Sequence, residues 1–298
     1  MSEEKSTNLA GHDKIKFLKK QIMKSGFPLQ LEISSLLRKR GYDVYNGVYF
    51  FDRDEKKTRE FDIEAVLPFE SVYTTPKSIE EAWFLNPFLL IECKKSTMYS
   101  WVFFRSEPIG TWFDIGHSID VLTETHGYMK SACGKILTTI DNLHYHFFDT
   151  VIVSAYQQIK LEKYQKNKDE RDGKDAILDA ISKIIKFMDY RFQNLKPFFT
   201  KDSPRRDIIF YFPMVVFDGD LFEASFKETL DLKECRHVVY ETRYLSSLTK
   251  SLVPLYIDIV RKDAFEDVIS TIEKEVRDIN IYLEKPGSQN KLSSIINS

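Results

Sequence analysis

The segment that decides the fold of this chain reads LLIECKK and spans residues 89–95. It opens with apolar residues, as a strand buried on both faces of a sheet does, and then carries Glu92 and Lys94. Side chains alternate across a strand, so Glu92 and Lys94 share one face while Ile91 and Cys93 share the other. Charge on a core strand is costly unless it is paired or bound to a metal. The segment therefore predicts a central strand with charged chemistry at its end.

A second charged strand, REFDIEA at residues 59–65, precedes it. Its acids Glu60, Asp62 and Glu64 alternate with other residues, so all three are expected on one strand face. Alternation therefore leaves open whether Asp62 or Glu64 joins Glu92. Two acids and a lysine that converge at the ends of two strands can hold a divalent metal and activate a water, which is the chemistry of phosphodiester cleavage.

Helices and further strands are predicted around these two segments. A helix over 28–40 carries Glu32 on the flank of an apolar stripe and ends at Gly41. A helix is also expected over 150–166, with Gln157 and Gln158 inside it. The remaining predicted helices cover 14–24, 175–192 and 263–283, and the remaining predicted strands cover 42–51, 58–67, 87–95, 101–104, 206–217, 237–244 and 254–261.

The composition is that of an ordinary soluble globular protein: 298 residues with a net charge of −2. This charge gives no global attraction to nucleic acid, so nucleic-acid binding would need a local basic surface. Three widely spaced cysteines predict no disulfide framework and fit a reducing compartment. The N-terminus lacks the apolar core of a signal peptide, and no apolar run is long enough to span a membrane. A cytoplasmic protein without a membrane partner is expected.

One elaborated domain is expected over residues 13–285, because no internal repeat and no convincing linker interrupts it. Residues 1–12 are polar and are expected to be flexible, as is the Ser/Asn/Lys-rich tail at 286–298. Insertions are expected at about 68–86 and 96–148. The sequence does not decide the role of the second insertion, which could read the substrate, bind a partner or simply pack against the core.

The helix and the two charged strands resemble the PD-(D/E)xK nuclease superfamily, the fold of restriction endonucleases and archaeal Holliday-junction resolvases. That family has an acid on a helix, an Asp near the end of a second strand and (D/E)-x-K on a third. The pattern falls on Glu32, Asp62, Glu92 and Lys94, and the match covers roughly residues 28–95. The resemblance implies an α/β protein with a restriction endonuclease-like core, in which a mixed central β-sheet is flanked by helices and carries insertions.

The resemblance also implies a cofactor, Mg²⁺ or Mn²⁺. Asp62, Glu92 and the main-chain carbonyl of Cys93 would bind it, because hard cations take oxygen ligands. Lys94 would orient or deprotonate the attacking water, or neutralise charge on the phosphate. It can act as a base only if metal charge and burial depress its pKa. Glu32 would be an outer-shell ligand or a ligand to a second metal.

The implied substrate is DNA, and many relatives dimerise to cut both strands, so a homodimer is an implied assembly. Gln157 or Gln158 resembles a glutamine that many relatives place on a following helix near the lysine. Lys39, Arg40 and Lys95 are candidate phosphate contacts, with a solvated face as the alternative for each. The alternative functions are an RNA-directed nuclease and a catalytically silent relative that binds nucleic acid or a protein. The intact set of two acids and a lysine argues against the catalytically silent alternative.

Overall fold

The computed structural model describes part of the sequence. Structural statements below concern that part alone. It comprises residues 3–67, 83–105, 119–123, 127–129, 150–161, 175–195, 206–226, 228–245, 252–285 and 287.

The helices in this part follow the chain as α1 (Glu3–Lys24), α2 (Phe27–Lys39), α3 (Ala176–Leu195) and α4 (Phe265–Glu284), and a 3₁₀ turn (Lys262–Ala264) precedes α4. The strands are β1 (Asp43–Asp52), β2 (Lys57–Val66), β3 (Trp83–Lys95), β4 (Tyr99–Arg105), β5 (Ile119–Thr123), β6 (Gly127–Met129), β7 (Val151–Lys160), β8 (Arg206–Asp218), β9 (Leu221–Phe226), β10 (Leu230–Glu234), β11 (His237–Leu245) and β12 (Leu252–Arg261).

Twelve strands of the described part form one mixed sheet, in the order β1-β2-β3-β8-β12-β11-β7-β4-β9-β10, with β5 paired to β8 and β6 to β5. The first three strands form an antiparallel meander. Strands β3, β8 and β12 run parallel, and β3 pairs with β8 along its whole length from Trp83 to Lys95. The predicted class, an α/β protein with a large mixed sheet flanked by helices, is confirmed. The segment LLIECKK lies in β3, an interior strand that is third in this order and pairs with β2 on one side and β8 on the other.

Helices cover both faces of the sheet. Helices α2 and α4 pack on one face, where they share an apolar cluster with Ile91 and Cys93 of β3. Helix α3 packs on the other face, against the cluster that contains Leu90 of the same strand. Glu92 and Lys94 share the face of Leu90 and therefore turn toward α3.

Helix α2 forms where its sequence predicts it. Pro28 lies in its first turn, where a missing N–H costs no hydrogen bond. Leu29, Ile33 and Leu37 recur at intervals of four residues and are buried against the sheet. The helix ends before Gly41, whose φ of +90° is a conformation that glycine adopts without a steric penalty.

The helix predicted over 150–166 is wrong, because residues 151–160 form strand β7. Short apolar runs do not distinguish a helix from a strand, and pairing with β4 and β11 decides the matter here. Strand β4 itself belongs to the main sheet, between β7 and β9, and contains the strand predicted over 101–104. Strands β9 and β10 were not predicted.

The predicted boundaries at the ends of the chain and of the insertions also shift. Helix α1 begins at Glu3, within the segment 1–12 that the sequence predicts to be flexible. Strand β3 begins at Trp83, so it takes in the end of the insertion predicted at 68–86. The rest of that insertion, most of 96–148 and the tail at 286–298 except Gly287 lie outside the described residues. Among the described helices, none combines the length and the apolar character needed to cross a membrane.

Candidate active site

Strands β2 and β3 stop pairing at the candidate site, where main-chain N–H groups donate hydrogen bonds to carboxylate side chains of the other strand. The β2–β3 ladder runs from Val66–Phe88 to Ile63–Ile91. Beyond it, the main-chain N–H of Cys93 donates to Oδ2 of Asp62 at 2.8 Å, and the main-chain N–H of Asp62 donates to Oε1 of Glu92 at 3.3 Å. The two acids are 30 residues apart in sequence and adjacent in space. The structure thus brings Asp62 and Glu92 together.

The alternation of strand β2 changes at Asp62. Phe61 stacks on Phe187 of α3, with ring centroids 4.1 Å apart, whereas Ile63 packs on the α2 and α4 face. Regular alternation would place Phe61 and Ile63 on the same face. In the register of β1 and β2, Asp62 lies opposite Gly47, which has a φ of +61°. The alternation is therefore interrupted between Phe61 and Ile63, whereas Asp62 and Glu64 both lie near basic residues of α3.

Glu64, the alternative to Asp62, lies deeper along the strand and has its own partner. The guanidinium of Arg191 on α3 lies 2.8 Å from Oε1 of Glu64. Burial raises the pKa of Glu64, and the positive charge of Arg191 opposes that shift. Of the two acids, Asp62 is the one that bonds the end of β3.

Two lysines surround the carboxylate of Glu92. Lys94 Nζ lies 3.4 Å from Glu92 Oε2 and 2.7 Å from Asp179 Oδ2. Lys183 Nζ lies 3.0 Å from Glu92 Oε2 and 3.9 Å from Asp62 Oδ1. The predicted acid–acid–lysine set therefore converges, and α3 adds a fourth and a fifth charged group.

Sequence reasoning missed Asp179 and Lys183, both on α3. They are four residues apart, so they lie on one flank of the helix, beside the apolar stripe that contains Ile181 and Ile184. The stripe predicts which face of α3 is buried. That prediction is the signal in the sequence from which Asp179 and Lys183, beside the stripe, could have been expected near the sheet.

Burial dominates the electrostatics of Glu92, whose side chain has no exposed surface. Burial and then the negative charge of Asp62 raise the pKa of Glu92 to about 7, against the opposing effect of Lys94 and Lys183. For Lys94, burial lowers the pKa, but the carboxylates of Glu92 and Asp179 outweigh it and raise the pKa above its ordinary value. Lys94 is therefore a cation at neutral pH.

The residue of α2 that reaches the site is Gln30, in place of Glu32. Gln30 Nε2 donates to the main-chain oxygen of Asp62 at 2.6 Å. Glu32 lies on the opposite flank of the helix, is about half exposed and pairs with Lys262 at 2.7 Å. It lines a pocket of about 510 Å³ between α2 and the start of α4. The expected position of Glu32 in the site is thus not what the structure shows.

The two glutamines expected near the lysine lie on strand β7. Gln157 is exposed on that strand. Gln158 Oε1 accepts a hydrogen bond of 3.1 Å from the main-chain N–H of Ala176. Gln158 thus satisfies a free donor in the first turn of α3, the helix that presents Asp179 and Lys183.

Two of the three candidate phosphate contacts are engaged in ion pairs. The guanidinium of Arg40 donates to both carboxylate oxygens of Glu273 on α4, at 2.9 and 2.6 Å. Lys95 pairs with Asp218 of β8 at 2.8 Å. Lys39 is exposed in the last turn of α2. None of these three contacts places a basic side chain beside Glu92.

The donor set suits a cation that takes few protein ligands. In the described residues, no three acids, histidines or cysteines lie close enough to hold a metal. Mg²⁺ is often bound by one or two carboxylates and keeps several waters, so Asp62 and Glu92 meet its needs. An ammonium, that of Lys183, already lies within 3.9 Å of both carboxylates, where a shared cation is accommodated. The main-chain oxygen of Cys93, the third expected metal ligand, lies near the start of α2. A Cβ atom added to Gly26 would lie 3.6 Å from it.

Among known proteins, no family model, no curated protein and no solved structure matches this chain.

Proposed function

We propose that the protein is a nuclease that uses Mg²⁺ or Mn²⁺ to hydrolyse the phosphodiester bonds of DNA, on a restriction endonuclease-like core of the PD-(D/E)xK type. One observation carries the proposal. Asp62 and Glu92 come from neighbouring strands and meet at the splayed end of β2 and β3, with the ammonium of Lys94 3.4 Å from Glu92. Three charged groups gathered at a strand end are costly to bury and therefore indicate a functional site.

The order of elements supports the same proposal. Helix α2 is followed by the meander β1-β2-β3, so the acid on the second strand and the E-x-K on the third fall on β2 and β3. One feature departs from the pattern: the helix contributes Gln30 to the site, and its acid Glu32 points elsewhere. The proposal therefore rests on Asp62, Glu92 and Lys94, without Glu32.

Each residue has a role that its environment supports. A metal held by Asp62 and Glu92 would lower the pKa of a bound water and stabilise negative charge on the phosphate. The N–H of Cys93 fixes one oxygen of Asp62, which orients the other toward the cation position. Lys94 has a raised pKa, so neutralising charge on the phosphate suits it better than removing a proton from water.

A cleavage assay with a matched pair of variants tests the proposal. Supercoiled plasmid, single-stranded DNA and RNA are incubated with the protein and Mg²⁺ or Mn²⁺, and then with EDTA. Lys94→Met should lower metal-dependent cleavage by about 100-fold or more, the scale on which such electrostatic groups act. Lys186→Met is the control, since Lys186 is similarly exposed but pairs with Asp52 and Glu55, away from Glu92. Cleavage that survives EDTA, or that Lys94→Met leaves unchanged, would contradict the proposal.

A catalytically silent nuclease fold that binds nucleic acid or a protein is the second candidate. It is favoured by the two lysines, which balance the charge of Asp62 and Glu92 without any metal. A folded wild-type protein that cuts no DNA or RNA with either metal would establish this alternative. Cleavage of RNA alone would instead identify the RNA-directed nuclease.

A further inference from the structure

Lys183 holds a position that no other side chain of the site has, because it contacts both acids. Its Nζ lies 3.0 and 3.3 Å from the two oxygens of Glu92 and 3.9 Å from Oδ1 of Asp62. Within the described part of the chain, the ion pairs of Lys183 are with these two carboxylates. Lys94 differs, because it is also held at 2.7 Å by Asp179.

This contact balances a cost inherent in the site. Asp62 and Glu92 are neighbouring carboxylates that repel each other, and Glu92 is fully buried. A cation between them offsets this repulsion. Lys183 supplies that cation from α3. An ammonium at hydrogen-bond distance from a carboxylate and a divalent metal bound to the same carboxylate repel each other strongly, so the two cannot share the position.

We propose that Lys183 occupies the cation position of the Asp62–Glu92 pair in the metal-free protein and is displaced from it when the metal binds. Lys183 is then a positioning residue that sets the metal affinity of the site. This inference rests on the proposed function, since it takes Asp62 and Glu92 to be the metal ligands.

The surroundings of Lys183 allow such a displacement. Its side chain is about one-fifth exposed and has four methylene groups, so the ammonium can move toward solvent while α3 stays in place. Asp179 lies one helical turn before Lys183, which is the spacing at which opposite charges pair along a helix. A displaced Lys183 therefore has an acidic partner on its own helix.

Competition of this kind lowers the apparent affinity for the metal. The site can bind metal only in the fraction of molecules in which Lys183 has moved away, so the apparent Kd equals the intrinsic Kd divided by that fraction. Removing the ammonium should therefore tighten binding, whereas a residue that merely supports the fold would weaken binding or leave it unchanged when removed.

The test is calorimetric titration of EDTA-treated, dialysed protein with Mg²⁺ alone, at pH 8. Lys183→Met removes the charge and shortens the side chain by one atom, and Lys183→Gln is a second variant in case methionine disturbs folding. Lys186→Met is the matched control. Lys186 lies on the same helix with similar exposure and also pairs with two carboxylates, Asp52 at 2.8 Å and Glu55 at 3.0 Å.

We expect Lys183→Met or Lys183→Gln to bind Mg²⁺ roughly tenfold more tightly than the wild type, and Lys186→Met to bind as the wild type does. If the wild type binds Mg²⁺ and the folded Lys183 variants bind it equally or more weakly, the inference is overturned and the proposed function stands. If neither the wild type nor the variants bind Mg²⁺ while circular dichroism shows them folded, both the inference and the proposed function are overturned.

Discussion

The main-chain N–H of Cys93 donates a hydrogen bond of 2.8 Å to Oδ2 of Asp62. This bond crosses from β3 to β2 just beyond the last registered pair of their ladder, Ile63 with Ile91. It uses one carboxylate oxygen of Asp62 and leaves the other, Oδ1, facing Lys183 at 3.9 Å. The strand end that positions Glu92 and Lys94 thus also orients Asp62.

Asp62→Asn separates the charge of this carboxylate from its hydrogen bond. The amide oxygen of asparagine can still accept from the N–H of Cys93, so we expect the variant to fold as the wild type does. Metal-dependent cleavage should fall by about 100-fold or more, because a neutral ligand holds a divalent cation poorly and stabilises less charge. Plasmid cleavage rates and thermal unfolding measure the two effects. A wild-type cleavage rate in Asp62→Asn would remove Asp62 from the site.

Glu64→Gln tests the other acid of the strand. Glu64 pairs with Arg191 at 2.8 Å and makes no described contact with Glu92, so we expect cleavage within about threefold of the wild type. Its free energy of unfolding should fall by about 1 kcal/mol, because the ion pair with the partly exposed Arg191 is lost. The opposite pattern, with Glu64→Gln inactive and Asp62→Asn active, would assign the metal to Glu64.

The strand that carries the site could be predicted from sequence because its signal is local. The apolar run before Glu92 marks a central strand, and the alternation after Leu90 gives the shared face of Glu92 and Lys94, which the structure shows turned toward α3. Alternation is interrupted between Phe61 and Ile63, which pack on opposite faces of the sheet, and Asp62 between them lies opposite Gly47. A left-handed residue in the neighbouring strand is not visible in the sequence of β2 itself.

The contribution of α3 could not be predicted for a different reason. Lys183 and Glu92 are 91 residues apart, and their contact depends on how α3 lies across the sheet. An amphipathic pattern fixes the face of a helix that is buried but not its position along the strands. The misread segment 151–160 shows the same limit, since pairing with β4 and β11, both distant in sequence, made it a strand.

Gln30 and Glu32 give a direct comparison of the two flanks of α2. Gln30 donates to the main chain of Asp62, whereas Glu32 pairs with Lys262 across a pocket. We expect Gln30→Ala to lower metal-dependent cleavage roughly tenfold, the scale of outer residues that orient metal ligands, and Glu32→Ala to leave it within about twofold. Cleavage rates at saturating Mg²⁺ provide the measurement. Loss of activity in Glu32→Ala alone would restore Glu32 to the site.

Glu92 predicts a pH dependence of stability in the metal-free protein. Burial first, and Asp62 second, raise its pKa from an ordinary value of 4.5 to about 7, so the folded state holds this proton more tightly than the unfolded state does. The stability linked to this proton is complete below pH 4.5 and is lost as the pH rises through 7.

Glu92→Gln does not titrate and cannot lose this contribution. The difference in unfolding free energy, variant minus wild type, should therefore rise by about 3 kcal/mol between pH 4 and pH 8, since one pKa unit corresponds to about 1.4 kcal/mol. Urea unfolding in EDTA at several pH values measures it. A difference that stays constant with pH would show that Glu92 is not buried as an acid with a raised pKa.

The stack of Phe61 on Phe187 is the contact that anchors α3 to the strand of Asp62, with ring planes 9° apart. Both rings are fully buried, and Phe187 lies one turn after Lys183 on the same helix. Phe187→Ala should lower the free energy of unfolding by about 3 to 5 kcal/mol, through lost burial and the cavity left behind. The control is Leu178→Ala, an exposed leucine of the same helix, with an expected loss of about 0.5 kcal/mol or less. Urea unfolding compares the two, and similar losses would mean that α3 is not held to β2 by this stack.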